Sequence, residues 1–175
     1  MVEHTECTNN EHTERTNSQF LDVMGKLEGT QIDKIYALEA LNTPSPENGM
    51  QPITPPLNHH HCDDLYAREI FMPKGTVATG RVHLLDHINV ISMGVVTVVT
   101  PTETVKYEAP ITFVGKKGTK RALYCHEDTI WTTIHLSHGV TDLDVLEKGL
   151  TTNEREICER LNIHTKKLET LEVTK

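Results

Sequence analysis

Aromatic side chains are scarce in this sequence: three phenylalanines, four tyrosines and one tryptophan make up 5% of it. An aromatic-dominated core is therefore excluded, and aliphatic and β-branched residues must supply the packing. No apolar run approaches the ~20 residues that cross a bilayer as a helix. The first residues also lack the basic-then-apolar order of a secretory signal, so the reading predicts cytosolic synthesis and no membrane partner. Cysteine is sparse as well. Cys7, Cys62, Cys125 and Cys158 form no C-x-x-C pair, which argues against a zinc knuckle or a disulfide frame and favours reduced thiols. A basic excess is missing: the net charge is −8, and residues 61–140 carry eight acidic and eight basic side chains. A general nucleic-acid binder would show a basic stripe over the folded part, so that class is set aside. Internal repeats are absent too, and 175 residues suit one domain with appendages.

What is present divides along the chain. Residues 1–17 contain almost no large apolar side chain and predict a polar, disordered tail. Residues 18–41 turn helical. Phe20, Leu21, Val23, Met24 and Leu27 form one short amphipathic face closed by Gly29, and Thr30 with Asp33 reads as the cap of a second helix bearing Ile32, Ile35, Tyr36 and Leu38. This pair is read either as packing on its own domain or as a docking arm for another protein. Five prolines between residues 42 and 58 predict an extended linker. His59, His60 and His61 follow; they cannot all face one way on a strand, and an exposed polar turn is the favoured reading over a metal site. From Leu65 to Leu136, runs rich in Val, Ile and Thr alternate with turn clusters at short spacing. That pattern predicts a mainly β domain, an antiparallel barrel or jelly roll, over residues 59–140. Residues 141–175 predict a C-terminal helical extension, in which Asn153 and Glu156 make a capping-box-like start.

The stretch from Gly80 to Gly94, GRVHLLDHINVISMG, and the later VGKKGTKRALYC resemble the two motifs of a cupin barrel with most metal ligands replaced. In that register His87 stands at the glutamate position of the first motif and His83 at its second histidine. Arg81 stands where the first histidine is expected, and Arg121 takes the fourth ligand position, three residues after Gly118. The resemblance implies a barrel whose mouth is lined by Arg81, His83, His87, Asn89 and Arg121, with Lys116, Lys117 and Lys120 on the adjoining turn. Two histidines, His83 and His87, are too few for a typical zinc or iron site, and a guanidinium opposes a nearby dication. A catalytic metal is therefore not expected, although a divalent ion at His83 and His87 stays open. A cationic pocket for a carboxylate or phosphate is the competing reading, with Arg81, His83, His87, Asn89, Lys120 and Arg121 as its candidate residues. His126, His135 and His138 are further candidates for a missing ligand, and Tyr124 for metal-free acid–base work.

Longer phrases narrow the resemblance. HLLDHIN at 83–89, GTKRA at 118–122, DTIWTT at 128–133 and TDLD at 141–144 are similar to a small cupin-like family of tailed bacteriophages, over roughly residues 59–150. That family implies a phage origin and a barrel but no established reaction. The leading expectation is a non-enzymatic barrel that forms a homo-oligomer and attaches to other phage structural proteins through residues 1–58, in the host cytoplasm and then on a virion. The alternatives are a small-ligand or metal-binding cupin with isomerase-like activity and, more remotely, an anti-defence nucleotide binder.

Overall fold

The computed structural model describes residues 20–43, 55–157 and 160–161. The expected polar tail, most of the proline-rich linker and the end of the C-terminal extension lie outside the described residues. Among the described residues no helix is long and apolar enough to cross a membrane.

The β-rich segment forms two antiparallel sheets packed face to face in a jelly-roll sandwich. The first is five-stranded, in the order β1 (Leu57–Cys62), β2 (Leu65–Met72), β10 (Thr129–Leu136), β5 (His87–Met93) and β8 (Ile111–Gly115). The second is four-stranded, in the order β3 (Val77–Gly80), β9 (Arg121–Cys125), β6 (Val95–Val99) and β7 (Thr104–Glu108). A short pair, β4 (Val82–His83) with β11 (Thr151–Thr152), closes one end. The fold class is therefore mainly β, as the turn spacing and β-branched runs predict.

Two long apolar runs that read as continuous are each divided between the sheets. Gly94, at φ +95°, breaks INVISMGVVTVVT into β5 and β6, because any Cβ there would strike the Asp128 carbonyl and the Thr129 hydroxyl. The run TVKYEAPITFVG divides at the cis Ala109–Pro110 bond into β7 and β8. The histidine run lies on a strand, not a turn: β1 pairs with β2 along its length as an exposed edge, with His59 and His61 beside Tyr66 and His60 on the opposite face.

Between the sheets, Met72, Ile91, Val96, Val98, Leu123, Cys125 and Trp131 form the core. The outer face of the four-stranded sheet is covered by helix α1 (20–26) and helix α2 (Gln31–Asn42). Phe20, Met24, Ile35 and Leu38 pack there on Val99, Ala122 and Tyr124. The capping box expected at Thr30 and Asp33 is present. Of the apolar residues read from 20 to 27, Leu21 and Val23 stay exposed, so one helical stripe and not a broad face is buried. The helical pair thus packs on its own barrel.

Lys120, expected on the turn adjoining the barrel mouth and among the candidate pocket residues, faces this helix layer instead. Its side chain is 0% exposed, its Nζ lies 2.5 Å from Glu39 Oε1 of α2, and it sits over the Tyr36 ring. Adjacent residues on a strand point to opposite faces, so Lys120 and Arg121 cannot share one. Removing one member of a buried pair leaves the other charge without a partner. Glu39→Ala is expected to lower unfolding free energy by about 3 kcal/mol, the low end for such pairs because Glu39 is partly exposed, while Lys120→Met costs less. Urea denaturation of the three proteins checks the order.

Candidate functional site

Strand alternation and register determine what the barrel interior contains. On the five-stranded sheet the inward residues fall into layers. Leu57, Ile70, Trp131, Ile91 and Ile111 line up across the five strands, an apolar layer. One step towards the mouth come His59, Arg68, Thr133, Asn89 and Phe113. The outermost layer brings together His61, Tyr66 and His135 on one side and His87 with Gly115 on the other. The deep interior is therefore hydrocarbon, and two consecutive layers at one end carry titratable groups.

His83, from the short β4, closes over the outermost layer. Its ring stacks on His87 with centroids 3.9 Å apart and on His135 at 4.8 Å, and His87 and His135 are 4.9 Å apart. All three are buried, and one ring nitrogen from each lies within 4.8 Å of the others, so this cluster could hold a metal ion. Of the candidates at positions 126, 135 and 138, it is His135 that joins. The signal was in the strand: on TIWTTIHL, alternation from Trp131 leads through Thr133 to His135 on the same buried face.

Burial is the main cause of the electrostatics. It holds His83 down at about 2 and His87 and His135 at about 4, with mutual repulsion adding to the effect on His83 and His135. All three are neutral at pH 7, the state in which imidazole binds a metal. His87 Nδ1 lies 3.1 Å from the Leu85 carbonyl, which can only accept, so Nδ1 carries the proton and Nε2 is free to accept. Arg121 Nη2 stands 3.4 Å from that Nε2. The Nδ1 atoms of His83 and His135 are buried without a hydrogen-bond partner among the described residues.

The remaining candidates are distributed as follows. Arg121 enters the interior beside His87; it is largely buried, burial lowers its pKa, and no carboxylate lies within ion-pair distance among the described residues. Asn89 points inward at 0% exposure and accepts from Trp131 Nε1 at 3.0 Å, and its Nδ2 has no partner among the described residues. Arg81 does not converge with the imidazoles but pairs at the rim with Glu147 of α3 (Leu143–Leu150). An acid 66 residues away was not among the pairings that sequence proximity suggests. Lys116 pairs with Asp86 on the surface. Tyr124 stacks on Phe20 under the helices, outside the barrel.

A cavity of roughly 280 Å³ opens onto the cluster. His83, His135 and Thr133 form its inner wall, Arg68, Tyr66 and His59 one side, and Asp144, Leu146, Glu147 and Leu150 of α3 the other. Sequence reasoning did not single out Arg68. It lies in the layer below His135 and forms no ion pair among the described residues.

No protein-family model matches the chain, and no curated protein matches it. Solved structures of cupin-type proteins are similar to it. KdgF from Halomonas sp. shares 20% identity over 55% of this chain and 91% of its own, with a TM-score of 0.43. A cupin-2 domain containing protein from Shewanella frigidimarina shares 12% over 58% and 90%, at 0.39. A cupin domain from Bordetella pertussis shares 16% over 50% and 98%, at 0.40. The strand order described above, and not these distant likenesses, carries the fold.

Two outcomes follow from the site. Because the folded cluster holds its imidazoles below the ordinary value of 6.5, the unfolded chain binds protons that the folded chain refuses. Stability is full above pH 6.5 and falls as pH drops towards 4. In a chelator-containing buffer the urea midpoint is expected to fall between pH 7 and 4.5, less steeply for His83→Gln; identical slopes refute the coupling. Gly115 makes the room for the site, since a Cβ there would overlap His87 Nε2, Arg121 Nη2 and Asn89 Nδ2. Gly115→Ala is expected to cost about 1–3 kcal/mol in overpacking, and ring-proton NMR should show the His87 resonances displaced.

Proposed function

We propose that this protein is a small-ligand-binding barrel in which His83, His87 and His135 hold a divalent transition metal and Arg68 and Arg121 receive the negative charge of an oxyanion-bearing ligand. The observation that carries the reading is the pair of Nδ1 atoms on His83 and His135, buried and without a partner among the described residues. A buried polar atom without a partner costs about 1–3 kcal/mol, and here two of them border one cavity. The donor set fits: three neutral imidazoles suit zinc, iron, copper or nickel, and a site with three protein ligands keeps a position for ligand or water. The metal would act as a Lewis acid on a bound oxygen. Two guanidiniums without acidic partners among the described residues oppose a dication by themselves, and an anionic ligand between them and the metal offsets that repulsion. The cavity lies at the small end of ligand sites, which suits a metabolite and not a polymer.

The attachment role rests on the sequence phrases at 59–150 and on the N-terminal segment. With Phe20, Met24, Ile35 and Leu38 buried on the barrel, the apolar stripe of residues 20–41 is not free for a particle, so the ligand-site reading is preferred. Elemental analysis after reconstitution with Zn2+, Fe2+ or Ni2+ tests it. About one equivalent per chain is expected for the wild type and a loss of at least tenfold in affinity for His135→Ala and His83→Ala. A wild type that takes up no metal, or variants that bind it equally, defeats the metal assignment. Thermal shifts with phosphate or oxalate that disappear in Arg68→Gln test the anion half separately.

A further inference from the structure

The outward side of the five-stranded sheet shows a composition that its position does not explain. Val114, Ile88, Ile134 and Ala67 stand side by side across β8, β5, β10 and β2. Val114 is 59% exposed and Ile88 45%, and Leu136 and Leu65 at the strand ends are exposed to a similar degree. A further row pairs Met93, Ile130 and Phe71. Across the five strands the ionisable residues of the outward set are Glu69, which accepts from Asn58 Nδ2 at 2.9 Å, and His60 and Cys62 of β1, all towards the β1 edge. The opposite outer face shows what this chain does with a similar surface: α1 and α2 cover it and bury Val99, Ala122 and Tyr124. No described residue covers the five-stranded face.

We infer that this face is an isologous interface with a second copy of the chain. Five strands at about 4.8 Å spacing, with rows of side chains extending roughly 20–25 Å, give on the order of 500–600 Å² in projection. The accessible area of a face studded with side chains exceeds its projection, which brings it to the scale of the about 800 Å² per partner that a stable pair buries. In a two-fold interface every residue meets the same patch, so a charged face would repel itself. A central strip of Val and Ile with its single carboxylate tied at one edge avoids that repulsion. Twisted sheets of this kind pack face to face about 10 Å apart. Residues 1–19 have only Met1 and Val2 as large apolar side chains and cannot supply an alternative cover.

Sedimentation velocity of the full chain tests the interface. The wild type is expected at twice the 19.7 kDa chain mass at micromolar concentration, with a thermal midpoint that rises with concentration. Ile88→Lys and Val114→Glu each place a charge where the two copies meet. Both are expected to sediment as monomers with unchanged far-UV circular dichroism, since neither position is buried in one chain. A monomeric wild type overturns the inference, whether residues 162–175 of the same chain or a different protein covers the face. So does a dimer that survives both substitutions.

Discussion

The register of strand β10 between β2 and β5 is the constraint on which the rest depends. Its inward residues, Thr129, Trp131, Thr133 and His135, supply the middle of every layer of the barrel interior. A slip of one residue would send all four to the outer face and bring Ile130, Ile134 and Leu136 inside. The indole of Trp131 secures that register. It is buried in the core, packs edge-on against Phe113 and donates to Asn89, a hydrogen bond possible only when those strands are aligned as found. The apolar end of the barrel thus sets the geometry of the polar end, two and four residues further along the same strand.

The polar end is costly to maintain, and its composition shows how the cost is contained. Three imidazoles meet there, and desolvation keeps them neutral. Gly115 gives up a side chain so that His87, Asn89 and Arg121 can meet above its backbone. Among the described residues, what stays uncompensated around this end is two imidazole nitrogens, one amide nitrogen and Arg81 Nε without hydrogen bonds, and two guanidiniums, of Arg68 and Arg121, without carboxylates. Such a set is unfavourable for the isolated fold, and a bound ligand would offset the cost.

The other sheet divides its labour differently. Its inward residues, Val96, Val98, Leu123 and Cys125, complete the hydrocarbon core, while its outward Val99, Ala122 and Tyr124 receive the helical pair. Lys120 and Arg121, neighbours in sequence, serve the two sides: one anchors α2 through Glu39 and the other borders the histidines. The N-terminal helices and the mouth are thereby linked through adjacent residues at the start of β9. Helix α3 is linked to the mouth from the other direction, through Leu146 and Leu150 against Tyr66 and through Glu147 with Arg81.

The sequence alone determined the class of fold, the helical start with its Thr30 cap, and the nomination of His83, His87, Asn89 and Arg121, because these depend on local periodicity and on spacing within two short motifs. Alternation on β10 already held His135 as well, though nothing local distinguished it from a surface histidine near a strand end. Only the tertiary structure decided that β10 lies beside β5, that Arg81 turns to Glu147 and Lys120 to Glu39, and that Arg68 lines the cavity. The reason is physical: those outcomes depend on contacts between residues 37 to 81 positions apart, made by elements whose pairing order is not written in the periodicity of either partner.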